Sequence, residues 1–330
     1  MSRILVTGSS GFIGTNLVEL LITAGHEVLG VDIQEPQIRE HASLFRRVDI
    51  LDEPSLTRVC DEFAPTEVVH LAARTDLHES RSLSGYATNT EGVTNMLACI
   101  SRQSSVRRSI FASTKLVCPT DYCPTSDDDH CPTTRYGESK MLGEKIVKSA
   151  TSLHGEWCIV RPTSIWGPWS NFPHIPYCRF FRMIARGRYW HPGRASPPRS
   201  FGYVGNAVFQ VRKLLEAPAE RIHRKVFYIS DYEVFTIREW ADMISMKLHN
   251  RRLWTMPEPL VRMAAWAGDL MKMCGVNEPP MSSFRLRNMR VCTAGTPLTP
   301  IKQITGPLPY TLEQGVEATI KWLREGGLIG

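Results

Sequence analysis

Ile4-Leu5-Val6-Thr7-Gly8-Ser9-Ser10-Gly11-Phe12-Ile13-Gly14 is a short apolar run that breaks into three glycines spaced GxxGxxG. Beyond it Leu17, Leu20, Leu21 and Ala24 recur at i, i+3, i+4 and i+7, the spacing of one helix face. A strand therefore turns directly into a helix. Gly8 permits the tight turn, Gly11 lets the backbone approach a pyrophosphate, and Gly14 allows close packing of helix on strand. The helix start, with Phe12 and Ile13 in its first turn, offers unpaired amides and the positive end of the helix dipole. Asp32 ends the next apolar run about twenty residues on, where a carboxylate accepts from both ribose hydroxyls and repels a 2′-phosphate. The expected cofactor is NAD rather than NADP.

Working outward, strands are predicted at residues 4–6, 28–31, 45–48, 68–71, 109–112 and 157–160, with amphipathic stretches between them. That alternation implies right-handed βαβ units and a doubly wound parallel sheet of Rossmann type. After Trp166 the texture changes. Pro and Gly become frequent over 167–198, and helical patterns return near 204–215, 237–248, 260–273 and 312–324. The expected division is an NAD-binding domain over 1–165, with a returning segment at about 200–235. A smaller mixed α/β lobe over 166–199 and 236–330 is expected to bind the substrate. No repeat or low-complexity tract interrupts the chain.

Composition narrows the classes. The 330 residues are 42% hydrophobic and 22% charged, ordinary for a globular protein. The net charge of +6 is mild, and its basic residues thicken between Arg179 and Arg199. That pattern suits a phosphorylated ligand better than a nucleic-acid track, so no nucleic-acid partner is expected. No run approaches the length of a membrane-spanning helix, and no secretory signal opens the chain, so neither an integral membrane segment nor secretion is expected. Nine scattered cysteines read as reduced thiols of a cytoplasmic protein. Cys118, Cys123, Cys131 and His130 cluster without a CxxC pair, which reads as a Pro-rich loop carrying thiols and not as a metal site. Leu260, Met263, Ala264, Trp266, Ala267, Leu270 and Met271 share a helix face. A membrane-surface role would explain that face, and packing on the protein body explains it more cheaply.

Tyr136-Gly137-Glu138-Ser139-Lys140 opens another amphipathic helix, and four residues is one turn, so the phenol and the ammonium share a face. A phenol that exchanges a proton near neutral pH needs a cation beside it, and Lys140 supplies one. Thr114 closes the strand Ile110-Phe111-Ala112-Ser113 at the sheet edge where such folds bind ligands, with Ser113 as the alternative if the register slips by one.

These residues together resemble the extended short-chain dehydrogenase/reductase family of nucleotide-sugar epimerases and dehydratases, over nearly the whole chain. The resemblance implies that Thr114, Tyr136 and Lys140 are catalytic. It implies further cofactor contacts from Asp49 and Ile50, from Leu71, Ala72 and Ala73 after His70, from Asn89, and from Pro162 after Arg161. Gly167-Pro168 fits the same pattern. For the substrate it implies Arg199 as the diphosphate clamp, with Thr75, Lys115, Asn171 and Arg188 as further contacts. Trp166, Trp169, Tyr189 and Trp190 could stack on a base or pack the lobe. The helices near 91–99 and 136–148 imply a homodimer through a four-helix bundle.

Three departures from the family carry information. Val117-Cys118-Pro119 replaces Val-Tyr-Gly, and Gly205-Asn206 replaces an acidic pair. Lys115-Leu116 stands where a sugar dehydratase carries Asp-Glu, so elimination of water lacks its acid and base. What remains is hydride transfer without elimination. An NAD-dependent nucleotide-sugar epimerase is the leading expectation, ahead of a nucleotide-keto-sugar reductase and of a non-catalytic NAD-binding sensor.

Overall fold

Residues 1–77, 82–151, 153–170, 172, 175–276 and 281–330 are described in the computed structural model of the chain. The first part runs β1 (Arg3–Thr7), α1 (Phe12–Thr23), β2 (Glu27–Asp32), β3 (Phe45–Arg47), α2 (Glu53–Phe63), β4 (Glu67–His70), α3 (Glu91–Arg102), β5 (Arg108–Ala112), α4 (Arg135–Ser149) and β6 (Glu156–Pro162). The second begins β7 (Ser164–Trp166), α5 (Pro176–Ala185), β8 (His191–Pro192), β9 (Pro198–Arg199), β10 (Phe201–Tyr203), α6 (Val204–Glu216), α7 (Ala219–Ile222) and β11 (Lys225–Ile229). It ends β12 (Phe235–Thr236), α8 (Ile237–His249), β13 (Thr255–Met256), α9 (Glu258–Met273), α10 (Ser283–Met289), α11 (Thr299–Thr305) and α12 (Leu312–Glu325).

Seven strands form one parallel sheet in the order β11-β6-β5-β4-β1-β2-β3. Ile4, Leu5 and Val6 of β1 are wholly buried because helices cover both faces. Ile4 and Val6 face a core that includes Leu17, Trp166 and Trp240, while Leu5 faces the opposite one with Leu56 and Met96. The strand order reverses between β1 and β4, and the two crossovers diverge there, opening a crevice at the carboxyl ends of the strands. In register, Thr7 lies opposite both Val31 and His70, so the loops after β1, β2 and β4 meet at one level. Short two-stranded pairs, β7 with β10, β9 with β12 and β8 with β13, organise the rest.

One expectation needs correction, and one open alternative closes in favour of packing. α9 does not lay its apolar stripe on the protein body: Leu260, Met263, Trp266, Leu270 and Met271 are exposed. The narrower face of Val261, Ala265 and Gly268 packs instead, with Leu286 of α10 among its neighbours. Trp166 is no base-stacking platform. It is wholly buried, with ring centroids 4.9 Å from Trp240, 5.2 Å from Tyr203 and 6.0 Å from Phe181.

Gly14 is required by contact distance. A Cβ there would sit 2.0 Å from the Gly8 carbonyl oxygen and 2.8 Å from Ser9 Cα, and neither backbone atom can swing aside. We predict that Gly14→Ala destabilises the fold by about 2–3 kcal/mol, as overpacking at a rigid contact does. Urea unfolding measures this, and parental stability would show that the turn yields.

Candidate active site

The turn after β1 is shaped by backbone constraints. Gly8 has φ +71°, and a Cβ on it would lie 2.6 Å from the Ala72 amide nitrogen, so the chains leaving β1 and β4 touch main chain to main chain. Gly11 caps α1 without a side-chain hydrogen bond, which leaves the amides of the first turn, including those of Phe12 and Ile13, free to meet an anion. Asp32 ends β2 with one carboxylate oxygen accepting from the Ser10 amide at 3.1 Å and the other from the Gln34 amide at 3.0 Å. Burial raises its pKa while these amides lower it. The oriented carboxylate keeps lone pairs for a ribose. Glycine turn, open helix start and Asp32 together fit NAD.

The other cofactor candidates divide. Leu71, Ala72, Ala73 and Pro162 are half-buried at the crevice edge, where β4 and β6 end. Asp49 is exposed and accepts from its own Leu51 amide at 2.9 Å. The Ile50 side chain is buried against Gly92, and its carbonyl accepts from Asn95 Nδ2 at 3.0 Å. Asn89 is fully buried. Its Nδ2 donates to the Arg74 carbonyl and to Ser139 Oγ, both at 2.9 Å, and its Oδ1 accepts from the Arg74 amide. Asn89 thus ties the segment after β4 to α4.

Thr114 follows β5 in extended conformation, and its hydroxyl reaches the phenol of Tyr136. Thr134 caps α4 by accepting from the Gly137 amide at 3.0 Å, which sets Tyr136 and Lys140 on the buried face of the first two turns. Gly137 is obligatory there, because a Cβ would lie 2.1 Å from the Leu116 carbonyl oxygen. Burial pushes Tyr136 up to about 12, against a smaller downward pull from Thr114. Burial also brings Lys140 down to about 8, which Glu144 opposes. His70 is held near 3, first by burial and then by the Lys140 charge. Thr7 Oγ1 accepts from the Ala72 amide at 3.3 Å and lies 2.8 Å from His70 Nδ1. His70, Asn89, Ser113, Lys140 and Glu144 line a cavity of about 10 Å³ behind the reacting groups.

The sequence reading passed over Glu144, one turn beyond Lys140. Its carboxylate takes both arms of Arg161, at 2.8 Å from Nε and 2.7 Å from Nη2, in a site where both side chains are buried. Arg161 also donates to Tyr228 Oη at 2.9 Å and to the Asp127 carbonyl at 2.7 Å. His130 Nε2 lies 3.0 Å from Glu144 Oε2. Burial alone would raise the Glu144 pKa, but Arg161 and His130 outweigh it and hold it at about 2. The thiols beside His130 find other neighbours: Cys118 donates to the Asp129 carbonyl and Cys123 to the Gly295 carbonyl. Among the described residues no cluster of three His, Cys, Asp or Glu could hold a metal.

Of the substrate candidates, Lys115 is buried beside Thr114, and its ammonium donates to Thr296 Oγ1 at 2.9 Å with no carboxylate paired to it among the described residues. Burial lowers its pKa, and the Arg199 charge adds to that. Arg199 donates to the Asn288 carbonyl and lies over the Phe201 ring at 5.6 Å. Thr75 is exposed after β4. Arg188 is exposed past the end of α5, close to the end of α8, and no described contact brings it to Thr114 or Tyr136. Asn171 lies outside the described residues.

Residues 4–230 match the model of the NAD dependent epimerase/dehydratase family. A curated relative in Escherichia coli O157:H7, N-acetyl-alpha-D-glucosaminyl-diphospho-ditrans,octacis-undecaprenol 4-epimerase, is 25% identical over 97% of this chain and 95% of its own length. The UDP-glucose 4-epimerase of Vibrio cholerae is 29% identical over 78% of this chain and 79% of its own. The crystal structure of UDP-glucuronic acid 4-epimerase from Bacillus cereus in complex with NAD superposes with a TM-score of 0.73. It is 20% identical, over 98% of this chain and 99% of that one.

Glu144→Gln would leave Arg161 buried without its counter-charge. We predict a loss of about 3–5 kcal/mol by denaturant unfolding. The pH dependence has a definite sign. The folded carboxyl, at about 2, lies below its ordinary 4.5, so its stabilisation is complete above about pH 4.5 and vanishes as pH falls toward 2. The variant's acid limb should flatten in that window, and an unchanged limb would remove Glu144 from this role.

Proposed function

The chain belongs to the NAD-dependent epimerase/dehydratase family, and from that premise we propose that it epimerises a diphosphate-linked sugar through transient oxidation to a ketone. One observation carries the reading: the Thr114 hydroxyl stands near enough to the Tyr136 phenol to pull its pKa down, with Lys140 one helical turn on, at the carboxyl edge of the sheet. Lys115-Leu116 beside them offers no acid and base for eliminating water. Tyr136 as phenolate takes the proton of a sugar hydroxyl, while Thr114 donates to the reacting oxygen. NAD, when bound, takes the hydride from the carbinol carbon and returns it to the opposite face. Lys140 contributes positive charge that lowers the phenol's pKa and holds the nicotinamide ribose. Tyr136 then reprotonates the new hydroxyl, and the burial of Tyr136 and Lys140 keeps bulk water from the ketone.

In this reading 1–165 and 200–235 hold NAD, and 166–199 and 236–330 hold the sugar and its diphosphate. The relatives' names allow a nucleotide or a polyprenyl carrier beyond that diphosphate, and the nucleotide is the primary expectation. α3 and α4 are proposed to pair two copies in the cytoplasm. Among the described residues no helix is long and apolar enough to cross a membrane.

The test begins with the purified protein and its retained NAD, given UDP-sugars without added cofactor. Epimer formation with no net change in reduced-nicotinamide absorbance is expected. Stoichiometric loss of NADH absorbance with a keto-sugar would instead establish a reductase. Tyr136→Phe is predicted to lower turnover by about a thousandfold while retaining NAD, and a fully active variant would sink the mechanism. Lys115 makes a separate prediction, because a buried ammonium with no ion-paired carboxylate among the described residues suits an acidic sugar. Lys115→Met is expected to raise KM for UDP-glucuronic acid about tenfold and to spare UDP-glucose. Equal KM for the acid in both proteins would assign Lys115 to structure alone.

A further inference from the structure

α9 inverts the usual amphipathic arrangement. Its packed stripe, Val261, Ala265 and Gly268, is narrow, and the face turned to solvent presents Pro259, Met263, Trp266, Ala267, Leu270 and Met273 with no charge among them. Trp266 is 69% exposed and Met263 65%, and Phe284 of α10 is also 65% exposed. Nine of the sixteen large hydrophobics exposed among the described residues fall between Trp254 and Phe284, about a tenth of the chain. A contiguous apolar surface of this kind marks an interaction site.

Charge identifies the occupant. Residues 251–290 carry seven basic side chains against three acidic, a surplus of four in a chain whose total is six. Arg262, Ala265, Ser283, Leu286, Arg287 and Arg290 line a cleft of about 290 Å³ between α9 and α10. Glu258, the acidic side chain at that cleft, is shared by Arg262 and Arg290. Lys272, in line with Val261, Ala265 and Gly268 at the end of α9, lies over the Phe284 ring. A second copy of the chain would bring the same positive rim against itself. A helix of 16 residues is about 24 Å long, too short to span a bilayer. An apolar face set with Trp and Met, with Arg262 and a basic cleft beside it, suits the interface of an anionic bilayer, lying flat.

We propose that α9 and α10 seat this chain on an anionic membrane surface. The seat adjoins the catalytic cleft. Arg199 holds the Asn288 carbonyl at the end of α10, Ser200 hydrogen-bonds Thr293, and Lys115 hydrogen-bonds Thr296, so residues 288–296 run from the docking face to the side of Thr114. A sugar carried on a bilayer-embedded lipid diphosphate would meet the cleft from there. That consequence rests on the epimerase reading, whereas the docking does not.

The experiment sediments the purified, NAD-loaded full chain with vesicles of phosphatidylcholine alone or with about one third phosphatidylglycerol. The protein is expected to pellet with the anionic vesicles only, about tenfold less at 0.5 M salt. Met263→Glu/Trp266→Glu/Leu270→Glu is expected to lower that binding at least about tenfold at unchanged thermal midpoint, since these side chains face solvent. Failure to pellet with anionic vesicles overturns the proposal, as does undiminished binding by the triple variant. A parent dimer that the triple variant dissociates, with vesicles ignored, would reassign the face to self-association. Tyr136→Phe, inactive on every sugar, is expected to pellet like the parent, so loss of the catalytic reading and loss of docking are read separately.

Discussion

The ion pair of Glu144 with Arg161 is the interaction on which the geometry of the reacting groups rests. α4 carries Tyr136 and Lys140, and it could slide or rotate on the sheet were it held only by apolar contact. Glu144 fixes it from within, one turn beyond Lys140, by a two-armed bond to an arginine of β6. The guanidinium then reaches Tyr228 on β11 and the Asp127 carbonyl in the loop that leads to α4. One cation thus pins the catalytic helix, two adjacent strands and the loop before it. Removing either partner would strand a charge away from water at a cost of several kcal/mol, so the arrangement has little freedom.

That same pair sets the field in which the chemistry operates. Glu144 already has Arg161 as its counter-ion, so it opposes the effect of burial on Lys140 only in part, and the ammonium stays near 8. His70 behind it is kept neutral and donates no second charge. Burial pushes Tyr136 up to about 12, so it holds its proton as a neutral phenol. Positive charge beside the ring favours release of that proton. The protein supplies a phenol too buried to act alone and a cation poised to release it.

Much of this was legible from residues in local pattern. The Gly8/Gly11/Gly14 turn, Asp32, and the strands alternating with helices are encoded by short-range rules, and they placed the crevice. The Glu144–Arg161 pair escaped because its members lie 17 residues apart, on a helix and a strand, and nothing local in either marks it. The one local trace is an acidic residue four positions after Lys140, a spacing that exposed helix pairs share. Asn89 read as a cofactor contact, whereas its buried amide is occupied by Arg74 and Ser139. Arg188 read as a phosphate partner because it belonged to a basic run, and only three-dimensional placement separates it from Arg199. The α9 stripe misled for a different reason: periodicity reports that a face is apolar, and cannot report what covers it.

Charge placement then connects the two halves of the molecule. Lys115 and Arg199 stand near the reacting groups without paired carboxylates among the described residues, close enough for the Arg199 charge to depress the Lys115 pKa. Residues 251–290, which include α9 and α10, carry a positive surplus of four. Assembling like charges costs free energy unless anions arrive to meet them. A diphosphate, common to nucleotide and lipid carriers, would meet the cations of the cleft, and anionic headgroups would meet those of the arm. Both demands are satisfied together when the substrate's diphosphate lies at a membrane surface. A water-soluble nucleotide sugar would meet the first through its own diphosphate, and the bilayer would meet the second whichever carrier the sugar has.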